Sequence, residues 1–288
     1  MPRSPLINIT LESVKKEFEL DPPMWLSKEL EEQDILFLDE ECKKPSPFDP
    51  HNRRKQMLDK MVRREARNVI RRCEYGQIFA IFDKWEQEIE LPWDLWGRIL
   101  RMYSGTSRKK FKVYFLADDS LREFPKGKEI RPENINGGYT YPCDTKSIVI
   151  YRAEDATRVL IHELMHASCL DRHENGIDRV EAETEAWAEF IYIAMLSEGK
   201  PYIFNSLLQR QSQYMRKQNE KVKEYIGDTM EFPWRYTVGK QEIWERWGIL
   251  SKQDTKPVIH IDNSLRLTFP PDRNLKARFH VAPLSTIL

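Results

Sequence analysis

The sequence predicts an α+β fold, with a small mixed β-sheet packed on one central helix and a mainly helical remainder. Three observations carry that expectation. Long stretches near 156–170, 179–196 and 201–226 repeat their apolar residues with helical spacing. Strand-like runs are few and short: Phe111 to Leu116, Gly137 to Pro142 and Ser147 to Tyr151. The 288 residues are 40% hydrophobic and 32% charged, enough apolar side chain for a sizeable core and enough charge to keep its surface in water.

Residues 1–50 are rich in acid and in proline, with Pro2, Pro5, Pro22, Pro23, Pro45, Pro47 and Pro50. Short helices near 11–19 and 25–32 interrupt what otherwise reads as an extended N-terminal arm wrapping the domain or a partner. Residues 51–75 predict a basic amphipathic helix, because Met57, Leu58, Met61, Val62, Ala66, Val69, Ile70 and Cys73 recur at helical spacing. Helices near 77–90 and 93–104 follow, then a strand near 111–117 that starts on the basic Arg108 to Lys112. A hairpin is expected near 138–151, turning at Cys143-Asp-Thr-Lys146. Beyond the two helices of 156–196 come helices near 201–226 and 239–248. Val258 to Ile261 and Leu265 to Phe269 alternate like strands, so 256–288 reads as a C-terminal strand-like extension of a domain spanning 51–255.

Formal net charge is zero, yet nine Lys or Arg between Arg53 and Arg72 face only Asp59 and Glu65, a local excess of +7. That stretch suits nucleic acid or an acidic partner, and equally a solvated helix face whose apolar stripe packs inward. No apolar run is long enough for a membrane span, and Met1 to Leu6 lacks the apolar core of a signal peptide. Cys42, Cys73, Cys143 and Cys169 form no C-x-x-C pair and no dense framework. Reduced thiols in a cytoplasmic or other intracellular compartment are the expectation, and a virion also suits such an arm-rich chain.

The chemistry concentrates in His162-Glu163-Leu164-Met165-His166. On a helix the i, i+4 spacing brings both imidazoles to one face, where neutral nitrogens bind Zn²⁺ at about 2.0–2.1 Å. Glu163 between them is placed to act as a general base toward an attacking water. Two histidines on a buried helix are also ordinary core residues bonded to carbonyls, and that reading stands beside the metal one. A catalytic zinc usually takes three protein ligands. The third would come from the acidic helix Arg179 to Leu196, with Glu181, Glu183, Glu185 and Glu189, or from His173.

With these residues in view, the chain resembles the gluzincin metallopeptidases over roughly residues 137–192. In that family an H-E-x-x-H helix is completed by a glutamate of the next helix. Eighteen residues separate His166 from Glu185, and Thr184-Glu-Ala-Trp-Ala-Glu-Phe-Ile191 is similar to the sequence around the family's glutamate ligand. The resemblance implies a zincin-like domain holding one Zn²⁺ per chain through His162, His166 and Glu185, and a peptide or protein substrate. Glu163 would serve as catalytic base and Glu189 would orient a ligand histidine from behind. Zincins place an exposed strand beside the metal, which here implies substrate contacts at Gly137, Gly138 and Tyr139. The glutamate that aminopeptidase relatives carry in the corresponding stretch is missing from Gly137 to Pro142. A downstream oxyanion donor is expected in Phe232 to Lys240, with Tyr236 as donor and Arg235 as an anion contact.

Two alternatives remain at this level. His173 would serve as third ligand in an arrangement similar to the Spartan-like protein–DNA crosslink proteases, although Cys169 stands where the metzincin pattern requires glycine. A catalytically silent protein on the same scaffold would instead use the basic stretch Arg53 to Arg72 as its working surface.

Overall fold

The computed structural model describes residues 4–83, 91–106, 108–127, 129–171, 176–227, 229–250, 260–272 and 275. In chain order the elements begin with α1 (Pro5–Glu19), β1 (Leu26–Ser27), α2 (Glu32–Lys43), α3 (Arg53–Val62), β2 (Ala66–Cys73) and β3 (Gly76–Asp83). Next come α4 (Trp93–Ser104), β4 (Phe111–Leu116), α5 (Pro132–Ile135), β5 (Gly138–Tyr139), β6 (Ile148–Ile150) and α6 (Ala156–Ala167). The chain continues with α7 (Ile177–Leu196), α8 (Pro201–Ile226), α9 (Phe232–Tyr236) and α10 (Val238–Arg246). Among the described residues the fold is mixed α+β, with about half of the chain helical and six strands in one mixed sheet.

The residues group into two compact units. A sheet unit takes Pro22–Leu121, Asn136–Leu170 and Pro271–Leu288; a helical unit takes Met1–Asp21, Arg122–Ile135 and Asp171–Pro270.

In the sheet unit the strand order is β1-β2-β3-β4-β6-β5. β2 and β3 form an antiparallel hairpin closed by the two residues between Cys73 and Gly76. β3, β4 and β6 run parallel, and β5 returns antiparallel along β6 as the sheet's edge. Only glycine suits position 76, since a Cβ there would stand 2.3 Å from the Phe111 carbonyl oxygen. One face of the sheet packs Phe79, Tyr114, Val149 and Tyr151 under Leu38 and Cys42 of α2 and Met57 and Leu58 of α3. On α4, buried Trp96 stacks edge-on against Phe115 and donates its indole N–H to Thr157 Oγ1 of α6 at 2.8 Å. Helix α6 itself lies against β5 and β6, so a mixed sheet does pack on the H-E-x-x-H helix.

Two expectations from sequence are corrected here. The basic helix of 51–75 stops at Val62, Arg64 turns through φ +61°, and Ala66–Cys73 is a strand. Its apolar residues fall on both faces of a paired strand, a pattern that spacing alone does not separate from a helix. Ion pairs join Lys55 to Asp59, Lys60 to Asp83, Arg63 to Glu65 and Arg54 to Asp49, so the cations do not line one helix face. The helix expected at 77–90 is likewise strand β3 as far as Asp83, with 84–90 outside the described residues. Ile78 to Phe82 are all buried, and a central strand covered on both faces reads as a continuous apolar run.

The N-terminal residues divide between the two units. Helix α1 belongs to the helical unit, where Ile7, Leu11 and Val14 are buried and α1 packs on α7. β1 and α2 belong to the sheet unit, and Pro22-Pro23 stands where the chain passes from one unit's residues to the other's.

The helical unit gathers α1, α8, α9 and α10 around α7. Trp244 of α10 is fully buried and donates to the Ala186 carbonyl at 2.9 Å. Leu265 to Phe269 is also buried; Leu265 N–H donates to the Arg122 carbonyl at 2.9 Å, and side chains hold the backbone of Arg266, Leu267 and Phe269. Gln211 and Lys240 donate to the Leu267 carbonyl, Gln218 donates to that of Arg266, and Phe269 N–H donates to Gln211 Oε1. Among the described residues of 256–288 only an isolated bridge, Ser264 with Glu123, has strand character; Val258 and Ile259 lie outside them.

Candidate metal centre

Helix α6 is held by its apolar side chains: Leu160, Ile161 and Leu164 are wholly buried. Leu160 and Leu164 are one turn apart, and so are His162 and His166, which fixes the histidines' common face. Their Nε2 atoms lie 3.0 Å apart, with ring centroids at 4.7 Å. Two nitrogens on one tetrahedral zinc at about 2.0–2.1 Å stand roughly 3.3 Å apart, so the pair is close to that spacing. His162 is buried and His166 half-buried.

Glu163, 5% exposed, turns toward the sheet edge. At Gly138 of β5 a Cβ would stand 2.7 Å from Val159 Cγ1, 2.9 Å from the Val149 carbonyl oxygen and 3.4 Å from Glu163 Oε1. The edge strand therefore passes the general-base candidate at the one position without a side chain. Gly137 accepts the Tyr151 N–H at 2.8 Å, which continues the β5–β6 ladder.

Tyr139 leaves on the opposite face of β5, as strand alternation requires. Its hydroxyl accepts from Arg54 Nη1 at 2.8 Å and donates to Glu41 Oε2 at 2.9 Å, and burial pushes its ionisation well above the ordinary tyrosine range. Of the three residues expected to meet substrate, Gly137 is thus bonded to Tyr151, Gly138 stands beside Glu163, and Tyr139 is committed to α2 and α3.

The end of α6 holds a feature that sequence reasoning missed. The His166 carbonyl accepts the N–H of Cys143 at 3.0 Å and that of Cys169 at 3.1 Å, and Cys143 and Cys169 are joined as a disulfide. The expectation of four reduced thiols is corrected for this pair, while Cys42 and Cys73 are free and buried. The 26-residue separation carries no signal, because the hairpin turn and the helix end meet only through packing.

In the helical unit, α7 presents the acids from which a third ligand was expected. Glu185 is 2% exposed, and Glu181, one turn earlier, is half-buried. Tyr236 donates to Glu181 Oε2 at 3.4 Å, and Arg235 is paired with Asp178, so the expected oxyanion donor and anion contact both stand against α7 carboxylates. Glu189 is fully buried and accepts from Lys240 Nζ at 3.2 Å and Thr268 Oγ1 at 3.0 Å. These partners give Glu189 a cation of its own. His173 lies outside the described residues. Glu181 was only one acid among several in the sequence, and helical spacing does not separate it from Glu185 and Glu189, which share its face of α7.

No protein-family model matches this chain, and neither the curated proteins nor the solved structures contain a match to it. No described helix is long and apolar enough to cross a membrane.

Proposed function

We propose that this chain is a zinc-dependent metallopeptidase of gluzincin type on a zincin-like fold. The observation that carries the reading is the helix α6 constellation: two imidazole nitrogens 3.0 Å apart, with the Glu163 carboxylate between them in sequence and beside the edge-strand Gly138. His162 and His166 would hold the metal, and Glu185 of α7, with Glu181 one turn earlier on the same face, is the proposed third ligand. When bound, zinc supplies a Lewis acid and makes water a competent nucleophile near neutral pH.

The chain's own residues supply the rest of the chemistry. Glu163, buried beside Gly138, takes the proton of the attacking water and returns it to the leaving amine. An extended peptide adds to the exposed edge of β5, its backbone passing close at Gly138, and backbone pairing rather than side-chain pockets sets its direction. Tyr236 is the candidate donor to the developing oxyanion.

The test is Glu163→Gln in the full chain. Zinc content by elemental analysis should stay at one per chain, while cleavage of a peptide library falls by about 10²–10⁴-fold, the usual contribution of a positioned acid–base group. Glu185→Ala and Glu181→Ala, assayed for zinc, identify the third ligand. Undiminished cleavage by Glu163→Gln would remove Glu163 from its role. The exposed Arg63, Arg64, Arg67 and Arg72 would then be the surface to examine for an acidic partner.

A further inference from the structure

The surroundings of Cys143 and Cys169 assign a second chemistry to this region. We propose that the Cys143–Cys169 disulfide is a thiol–disulfide exchange site, and that its opening by a dithiol loosens His166. Both cysteines are exposed, unlike Cys42 and Cys73, so a small dithiol reaches this bond without unfolding the chain. Both stand in the left-handed region, at φ +62° and +57°, which non-glycine residues adopt sparingly. Their two N–H groups converge on a single acceptor, the His166 carbonyl at the end of α6. The covalent bond therefore holds two backbone donors on the residue whose ring faces His162, and it ties the turn after β5 to that same helix end.

The exchange balances as two displacements. A thiolate of the dithiol attacks one protein sulfur, forming a mixed disulfide and releasing the other cysteine as a thiolate. The reagent's second thiol closes its own ring and releases the remaining cysteine. Two electrons and two protons pass to the protein, and the dithiol leaves oxidised. Once the bond is open, the 143 and 169 segments relax from their left-handed conformations and the His166 carbonyl loses fixed partners. The link to metal affinity rests on the zinc reading above; the exchange site itself does not.

The experiment compares the oxidised full-length chain with the same chain reduced by dithiothreitol and freed of reagent without air. Iodoacetamide should label no cysteine in the native oxidised protein, and Cys143 and Cys169 but not Cys42 or Cys73 after reduction. Hydrogen exchange of the 143 and 169 amides should quicken about tenfold on reduction, and the zinc dissociation constant, read against a chromophoric chelator, should rise about tenfold. The double variant Cys143→Ser, Cys169→Ser should match the reduced chain and ignore dithiothreitol.

Labelling of Cys143 or Cys169 before reduction, or equal amide exchange in both forms, would overturn the proposal. So would quickened exchange with an unchanged zinc constant, because His166 would not be coupled to the bond. Quickened exchange in a chain that takes no zinc in either form would instead support the exchange site and sink the metallopeptidase reading, so the two failures are distinguishable.

Discussion

Gly138→Ala isolates the closest approach in the candidate site. The added methyl would stand 2.7 Å from Val159 Cγ1 and 2.9 Å from the Val149 carbonyl oxygen, both inside van der Waals contact. Neither neighbour yields easily: Val159 is a β-branched residue on a buried helix, and the Val149 oxygen is backbone in the ladder that pairs β6 with β5. Overpacking of this kind typically costs about 1–3 kcal/mol, a change of roughly 5- to 150-fold in the unfolding equilibrium. The least costly relaxation slides β5 away from β6 and α6, which also alters the space in front of Glu163 Oε1, now 3.4 Å from that methyl position. Urea denaturation followed by far-UV circular dichroism measures the first effect, and peptide cleavage per zinc-loaded chain measures the second. Peptide cleavage should fall more than stability alone explains when the assay is run far below the transition. A variant within 0.5 kcal/mol of wild type, with undiminished cleavage, would refute the placement of β5 against Glu163.

Further outcomes follow from the same physical picture. Tyr139→Phe removes one hydroxyl that both accepts from Arg54 and donates to Glu41, two buried charged groups, and should cost about 1–3 kcal/mol by urea denaturation. Lys240→Met removes the buried cation from Glu189 and should cost about 3–5 kcal/mol, with Lys240→Met, Glu189→Gln recovering part of it in a double-mutant cycle. Burial pushes the Cys42 thiol from 9.0 up to about 12. In that window the unfolded chain has lost its proton and the folded chain keeps it, so this contribution is fully present below pH 9 and is lost as pH rises toward 12. Cys42→Ala should flatten the fall in stability measured across that range.

Helix α6 was legible because its apolar residues are interleaved densely enough to mark a mostly buried helix, and the i, i+4 histidines need only that helix to share a face. The helices α7, α8 and α10 and the strand β4 were legible for the same local reason. The basic stretch was not, because Ala66, Val69, Ile70 and Cys73 satisfy helical spacing and a two-sided strand alike, and only pairing with β3 and β1 decides between them. Strand β3 was hidden in the same way by burial on both faces.

By itself, then, the sequence determined the two imidazoles, the carboxylate between them and the helix that aligns them, since all three depend on contacts within one turn. Tertiary structure alone decided what surrounds that helix. Gly138 meets Glu163, Tyr139 turns to Glu41 and Arg54, and Cys143 reaches Cys169, through approaches of segments far apart in the chain. Such approaches are set by how sheet and helix faces pack, and no local pattern of residue types encodes them.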